Sequence, residues 1–397
     1  TGFPALMGVF PPNVMPEEIM SGHSERLRAV LCSQSNPLRS YADTTAYEQA
    51  FRKLDLLVTC ELAMTETAAL SHYVLPARSG YESWDGTFFP WTFPEIYFQM
   101  RRPIVEPAGE PLEASQIMVR IAEELGIIPA IPDSLYRAAG ADRMTFGMEL
   151  INYVAQEPAA LKNMPFVLAK TLGEKMGSAN LAALWGLLQV APKGFRRAAA
   201  RAGFKPGPAL GEELFQAVCD HPEGLVVGVC DADNNFENIR TTDGKVNIHI
   251  PEMEQWVRGI DAHSEEPALK PDPDYPFILS AGRHMSMNAN TLMRDPSWND
   301  GRRACTLAMS PADAKNLNLS DGQQVRVITE AGEARIELEV TDQVREGQVI
   351  IPHGFGLVYE GRTFGANVNR LTWSTHRDRF AGTPLHRYVP CRIEPVI

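Results

Sequence analysis

The chain of 397 residues is long enough for two or three domains with sizeable cores. Its formal charge of −12 argues against nonspecific binding to nucleic acid or anionic lipid, because both require a basic surface. No apolar run approaches the roughly 18 residues that a membrane helix needs, so we expect a soluble protein.

The six cysteines are scattered without a C-x-x-C pair, so their spacing indicates neither a zinc site nor an iron–sulfur cluster. We expect most of them to be buried thiols in a reducing compartment, which favours the cytoplasm. The N-terminal residues 1–4 contain neither Met nor a signal peptide and are interpreted as an internal start. An export signal would lie upstream, so a periplasmic location stays open. Residues 1–25, rich in proline and glycine, predict a surface segment with little regular structure.

A parallel α/β unit is predicted next. Apolar runs at 27–32, 54–60 and 73–76 predict three strands, and Asp43 and Thr65 begin the helices between them. Strands and helices that alternate at this spacing are typical of a βαβαβ arrangement with a parallel sheet.

Polar residues lie at the ends of two of these strands. Ser35, Asn36 and Pro37 follow the first strand, and Glu61 follows the second. Open parallel sheets bind ligands beyond the carboxyl ends of their strands, so these four residues are candidates for a nucleotide site. The alternative is an ordinary turn and a solvated carboxylate.

The middle of the chain is predicted to be helical. The stretch 112–125 has an apolar stripe on one helical face, and glycines break residues 133–222 into short segments. Five basic residues between Lys193 and Lys205 are interpreted as a solvated face, with docking to an acidic partner or an anionic cofactor as the alternative.

The last part of the chain predicts a small β-barrel with a polar mouth. Strands are predicted from period-two or apolar runs at 277–279, 324–329, 334–340 and 347–352, and a short helix starts at Ser310 and Pro311. The first strand runs into the loop 280–291, whose Arg, His, Asn and Thr side chains can donate hydrogen bonds to an anion or a flat polar ring.

Six short motifs occur in order here: LSAGR (279–283), MSPADA (309–314), LSDGQQVRV (319–327), GQVIIPHG (347–354), NRLT (369–372) and GTP (382–384). Together they resemble the C-terminal, cofactor-capping barrel of the molybdopterin oxidoreductase family, which includes formate dehydrogenases and dimethyl sulfoxide reductases. Further motifs resemble the second segment of the family's first dinucleotide-like domain: SNP (35–37), LDLLV (54–58), TETA (65–68), HYVLPA (72–77) and ESWDGT (82–87).

The chain departs from the family after residue 87. Residues 88–91 (FFPW) stand where many formate dehydrogenase-like members have an Asn and then Arg-x-Gln. This departure argues against formate chemistry. The aromatic residues are interpreted as packing, with a substrate funnel as the alternative.

The resemblance implies an α/β plus β fold in four parts. Residues 1–110 would be the second segment of an α/β molybdopterin-binding domain, and 111–240 a helix-rich connection. Residues 241–274 would be a strand and linker, and 275–397 a double-psi-like, dinucleotide-binding barrel of six or seven strands.

The cofactor implied by the resemblance is a bis-molybdopterin guanine dinucleotide with molybdenum or tungsten. The residues expected to hold it are Ser35, Asn36, Pro37 and Glu61 in the α/β part, and Gly282, Arg283, His284, Asn288, Thr291, His353, Asn369 and Arg387 in the barrel. Arg283 would pair with phosphate or pterin oxygens, while for His284 a surface or capping role is the alternative. Catalytic residues and the metal ligand stay unassigned, since the family's iron–sulfur module and metal-ligating residue lie upstream.

The function implied is that of a C-terminal portion of a molybdopterin-dependent enzyme that oxidises or reduces a small substrate. Its partners would be the upstream half of the same enzyme or a separate subunit, and an electron-transfer subunit. Two alternatives stay open: a non-redox hydratase or transhydroxylase with the same cofactor, and a noncatalytic interaction protein that reuses the barrel.

Overall fold

The computed structural model describes residues 1–5, 8–87, 92–232, 235–236, 239–263, 266, 272–282 and 294–396. They form two compact units, one of Thr1–Val74 with His249–Ile397 and one of Leu75–Ile248. The predicted boundaries near residues 110, 240 and 274 stay a prediction. In the described part of the chain, no helix is both long and apolar enough to cross a membrane.

The N-terminal part of the first unit is a layered α/β structure. Its elements in chain order are α1 (Met15–Met20), β1 (Ala29–Ser33), α2 (Pro37–Ser40), α3 (Thr44–Arg52), β2 (Leu56–Glu61), α4 (Glu66–Leu70) and β3 (Tyr73–Pro76). The strands form one sheet in the order β1-β2-β3, and β1 and β2 run parallel. Tyr47, Phe51 and Leu57 are almost fully buried between the helices and the sheet. The predicted α/β unit with three strands in one sheet is therefore confirmed, and its parallel pairing is confirmed for β1 and β2.

Local capping explains where two of these helices begin. Asp43 Oδ1 accepts a hydrogen bond from the Ala46 amide at 2.9 Å, and Thr65 Oγ1 accepts one from the Ala68 amide at 3.2 Å. Each cap satisfies an amide that has no partner inside the helix. One expectation for the N-terminus is wrong: α1 lies within residues 1–25, and its Ile19 is fully buried.

The second unit is mainly helical. Its elements are β4 (Asp85–Gly86), β5 (Glu95–Phe98), β6 (Met100–Arg101), α5 (Ala114–Glu124), α6 (Asp133–Ala141), α7 (Arg143–Gln156), α8 (Met164–Leu168), α9 (Glu174–Met176), α10 (Ala179–Gln189), α11 (Lys193–Arg201), α12 (Leu210–Asp220) and β7 (Leu225–Val229). β5 pairs with β7 and β4 with β6, both antiparallel. Leu135, Phe146 and Leu214 are fully buried in its core, which confirms the predicted helical middle region.

The C-terminal part of the first unit is a closed barrel. Its elements are α13 (Pro251–Arg258), β8 (Phe277–Gly282), β9 (Thr306–Met309), α14 (Pro311–Asn316), β10 (Gln324–Ile328), β11 (Glu333–Val340), β12 (Gln348–Pro352), β13 (Leu357–Tyr359), β14 (Arg362–Phe364) and β15 (Val389–Pro395). Six strands close in the order β10-β11-β9-β12-β8-β15, and β13 and β14 form a separate hairpin. Closure leaves the barrel without a free edge. The predicted barrel of six or seven strands is confirmed with six, and so is the mixed fold class.

The barrel mixes strand directions. β8 runs parallel to β12, and β9 runs parallel to β11, while the other neighbours in the barrel are antiparallel. Alternate side chains point inward, so Leu279, Val325 and Val349 are fully buried in the barrel interior. Polar residues at the ends of β8 and β12 are described next.

Candidate functional site

A cavity of about 240 Å³ lies in the first unit, between the barrel's loop ends and the segment that follows α2. Four residues predicted from the sequence line it: Gly282, His353, Asn369 and Arg387. They come from separate parts of the chain and meet only because the barrel brings the ends of β8 and β12 together with the loop before β15. The structure therefore assembles these four predicted residues around one cavity.

Backbone hydrogen bonds hold the barrel side of this cavity. The His353 amide donates to Gly282 O at 2.8 Å, which continues the pairing of β8 with β12. The Ala281 amide donates to His386 O at 3.0 Å, which fixes the loop before β15. A Cβ atom on Gly282 would collide with Ile350 Cγ2, so a larger residue does not fit at the end of β8.

Asn369 ties the cavity wall to the α/β part. It lies in a 3₁₀ turn, Val368–Leu371, and is 3% exposed. Its Nδ2 donates to Arg39 O at 2.8 Å, and its backbone amide donates to Asn367 Oδ1 at 3.1 Å. The Asn369 side chain is thus fixed against α2.

The electrostatics of the cavity favour an anion on one side. Arg387 is exposed and is the permanent cation among the described lining residues. Burial lowers the pKa of the neighbouring His386, a backbone hydrogen bond to Pro384 opposes this, and the charge of Arg387 lowers the pKa further. His386 is therefore a neutral imidazole at neutral pH, and Arg387 supplies the positive charge.

The other predicted group, at the ends of β1 and β2, does not line this cavity. Ser35 and Glu61 are half-buried, and Glu61 Oε1 accepts from the Leu62 amide at 2.7 Å. Pro37 is buried at the start of α2. Asn36 is 3% exposed. The cofactor-binding role of these four residues stays a prediction.

Asn36 belongs to a buried polar network that sequence reasoning missed. Its Nδ2 donates to Glu66 Oε2 at 2.8 Å, and its Oδ1 accepts from Thr67 Oγ1 at 2.8 Å. Glu66 also accepts from Arg294 and from the Val358 amide. Burial opposes ionisation of Glu66, but these hydrogen bonds outweigh it and lower its pKa to about 2.

The predicted residues Arg283, His284, Asn288 and Thr291 lie outside the described residues. The chain is described up to Gly282 and again from Arg294. The aromatic segment 88–91 also lies outside them.

Sequence reasoning missed eight residues that line the cavity: Pro12, Asn13, Ser40, Tyr41, Ala42, Ala281, Pro384 and His386. Two of them lie inside motifs already quoted, Ala281 in LSAGR and Pro384 in GTP. A signal for Asn13 was available, because Pro11-Pro12-Asn13 is a polar turn immediately before an amphipathic segment. The prediction for residues 1–25 is a surface segment, whereas Asn13 is 2% exposed.

The donor and acceptor set suits a ligand with both an anionic group and polar ring edges. Arg387 can pair with an anion. Asn13 Oδ1 is a buried acceptor without a hydrogen-bond partner among the described residues, so it can accept from a ligand N–H or O–H. Within the described residues, no group of three His, Cys, Asp or Glu side chains could hold a metal ion.

Two family models match the parts of the chain that line this cavity. Residues 277–390 match the family described as "Molydopterin dinucleotide binding domain", and residues 5–124 match "Molybdopterin oxidoreductase". These matches cover the barrel with its cavity and the N-terminal α/β part.

Individual relatives agree with the family matches. The chain is 24% identical over 384 residues to the alpha subunit of the F420-dependent formate dehydrogenase of Methanocaldococcus jannaschii, covering 96% of this chain and 45% of the relative. It is 23% identical over 330 residues to the trimethylamine-N-oxide reductase of Haemophilus influenzae, covering 83% and 36%. The chain thus spans less than half the length of these curated relatives.

A solved structure supports the fold. The acetylene hydratase from Pelobacter acetylenicus superposes with a TM-score of 0.60 over 97% of this chain and 46% of that protein, at 17% sequence identity. The fold, the cavity and the two family matches lead to one conclusion. This chain belongs to the molybdopterin oxidoreductase family.

Proposed function

We propose that this chain is the part of a molybdenum or tungsten oxidoreductase that holds a bis-molybdopterin guanine dinucleotide. The observation that carries the proposal is the cavity in which Gly282, His353, Asn369 and Arg387 converge from the matched barrel. A volume of about 240 Å³ suits one portion of such a dinucleotide and not the whole molecule.

The roles of the residues follow from their chemistry. Arg387 pairs with a phosphate oxygen, because a guanidinium forms charge-assisted hydrogen bonds to phosphate. Gly282 lets the end of β8 pack closely against Ile350, and Asn369 holds the wall in place through its bond to Arg39 O. Arg283, His284, Asn288 and Thr291, which follow Gly282 in the sequence, are assigned further hydrogen bonds to the cofactor. Ser35, Asn36, Pro37 and Glu61 are assigned to the α/β side of the cofactor.

Redox chemistry on a small substrate is the activity we propose. When bound, the cofactor supplies the metal centre at which a substrate exchanges electrons. Support comes from the relatives, which are named as a formate dehydrogenase and a trimethylamine-N-oxide reductase. The hydratase named above is alike in fold, and fold alone does not decide chemistry.

The proposed partners follow from the same relatives. The formate dehydrogenase relative is named as an alpha chain of its enzyme, and both relatives are more than twice as long as the part that matches this chain. We assign the metal-ligating residue and an iron–sulfur cluster to an upstream portion or a separate polypeptide, and electron delivery to a further protein. The proposed location is the cytoplasm.

The test measures molybdenum, tungsten and pterin in the natural full-length protein and in two variants. Arg387→Ala removes the cavity cation, and Arg345→Ala removes an exposed arginine of the barrel outside the cavity. We expect stoichiometric metal and pterin in the wild type and in Arg345→Ala, with a clear loss in Arg387→Ala. A wild-type protein without metal and pterin would instead support the noncatalytic interaction protein.

A further inference from the structure

Asn13 lines the cavity and carries a buried acceptor in a fixed orientation. The residue lies in the 3₁₀ turn Pro12–Val14, lines the cavity and is 2% exposed. Its Nδ2 donates to Ser374 O at 2.6 Å. A carbonyl oxygen only accepts, so the nitrogen of the amide must face Ser374 and the oxygen must face away. Among the described residues, nothing donates to that oxygen.

The turn that carries Asn13 is anchored on both sides. Pro12 O accepts a hydrogen bond from the Tyr47 hydroxyl. Asn13 O accepts from Arg377 Nη1 at 3.4 Å, and Arg377 is itself paired with Glu17 at 2.5 and 3.1 Å. Because the backbone is held in this way, the side chain has little freedom to find another donor. Leaving a buried acceptor unpaired costs free energy, so native structures pair such groups with protein, water or ligand.

We propose that Asn13 recognises the ligand in this cavity. Its Oδ1 accepts a hydrogen bond from an N–H or O–H group of an amino-substituted heterocycle. This inference rests on the proposed function and names the part of the cofactor that enters the cavity. An amide oxygen repels phosphate oxygens, whereas Arg387 attracts them. The two residues therefore give the cavity a polarity, with the ring edge at Asn13 and the anionic group at Arg387.

The charge state of His386 also affects which ligand groups the cavity can bind. A protonated imidazole beside Arg387 would add a second cation and a second donor to the cavity wall. Burial keeps the pKa of His386 below its ordinary value, with a further lowering from Arg387, so the imidazole stays neutral. The contrast between the anion side and the acceptor side then depends on Arg387 and Asn13.

The test follows cofactor release from the holoenzyme. Asn13→Ala removes the acceptor, and Asn13→Leu removes it while keeping the volume of the side chain, which guards against a simple packing defect. Glu17→Ala is the matched control, because it loosens the same turn through Arg377 and leaves Asn13 intact. Pterin release is timed at a fixed temperature, and each variant's unfolding temperature is measured in parallel.

We expect both Asn13 variants to release pterin roughly three- to tenfold faster than the wild type, the range expected for one lost hydrogen bond. Glu17→Ala should release it at the wild-type rate even where its unfolding temperature falls as far. Release rates that simply follow the unfolding temperatures of all three variants would give Asn13 a structural role and overturn the inference.

Failure of the inference is separable from failure of the proposed function. If Arg387→Ala loses the cofactor while both Asn13 variants release it at the wild-type rate, the cavity binds the cofactor and Asn13 does not recognise it. If the wild-type protein carries no pterin, the proposed function fails and the inference fails with it.

Discussion

Glu66 and Arg294 form a bidentate ion pair, with Oε1–Nη1 at 2.9 Å and Oε2–Nη2 at 3.1 Å. The two side chains are only 7% and 16% exposed. Glu66 begins α4 in the α/β part, and the described chain resumes at Arg294 after Gly282. The pair therefore anchors Arg294 to the start of α4.

Neutralising Glu66 should destabilise the unit that contains it. Glu66→Gln leaves Arg294 without its counter-charge, and breaking a buried pair in this way costs about 3 kcal/mol. Urea unfolding of the full-length protein measures the loss, and hydrogen exchange at the Val358 amide, which donates to Glu66, reports it locally.

The control for this change is Asp55→Asn. Asp55 pairs with Arg28, but their side chains are 45% and 67% exposed, so water screens the pair. If Asp55→Asn lost as much unfolding free energy as Glu66→Gln, burial would not make the Glu66 pair more stabilising than an exposed pair.

Acid should weaken the same network. The pKa of Glu66 is about 2 in the folded protein against 4.5 in its ordinary state, because hydrogen bonds to the carboxylate outweigh the cost of its burial. A lowered pKa stabilises the fold fully above the unfolded value, and that stabilisation is lost as pH falls toward the folded value. The wild-type unfolding free energy should thus fall more steeply between about pH 4.5 and 2 than that of Glu66→Gln. If the unfolding free energies of the wild type and Glu66→Gln fell equally with pH, Glu66 would not contribute to the acid sensitivity.

Gly356 should tolerate no side chain. Its φ is +78°, and a Cβ atom would lie 2.5 Å from Asn367 Cβ and 2.7 Å from Asn367 N. Gly361 has a similar φ of +74° but faces open space, which makes it the matched control. We expect Gly361→Ala to cost about 1 kcal/mol from backbone strain and Gly356→Ala about 3 kcal/mol, because overpacking is added. Equal unfolding midpoints for the two variants would contradict the close approach.

Arg283 should matter for cofactor retention far more than Arg201. A charge-assisted contact to phosphate contributes about 1.5–3 kcal/mol, whereas an exposed helical arginine contributes little. Arg201 ends α11, and its Nε donates to Val229 O at 2.7 Å. Metal content of Arg283→Ala and Arg201→Ala in the full-length protein checks this. Equal metal content in Arg283→Ala and Arg201→Ala would show that Arg283 does not bind the cofactor.

The helix starts and barrel strands could be predicted because they depend on neighbouring residues. Asp43 and Thr65 each cap an amide three residues away. The strand pattern of the barrel follows from the alternation of apolar and polar residues, which is also local.

The partners of the buried polar residues could not be predicted in this way. Asn36 bonds to Glu66, 30 residues away, and Asn13 bonds to Ser374, 361 residues away. Sequence periodicity carries no information on such pairs, since they form only when separate elements pack. The sequence predicts Asn36 as a cofactor residue but does not indicate that its amide also bonds to Glu66 and Thr67. Of the cavity residues, Gly282, His353 and Asn369 were predicted because they lie in family motifs, and periodicity did not indicate them.

Cofactor binding in the cavity is tested most directly by an electron cryomicroscopy structure of the natural full-length protein purified with its cofactor. We predict pterin dinucleotide density in the cavity, with a phosphate oxygen about 2.7–3.2 Å from the Arg387 guanidinium and a ring N–H or O–H at the same distance from Asn13 Oδ1. Cofactor density elsewhere, with the cavity filled by side chains or solvent, would contradict the proposed site.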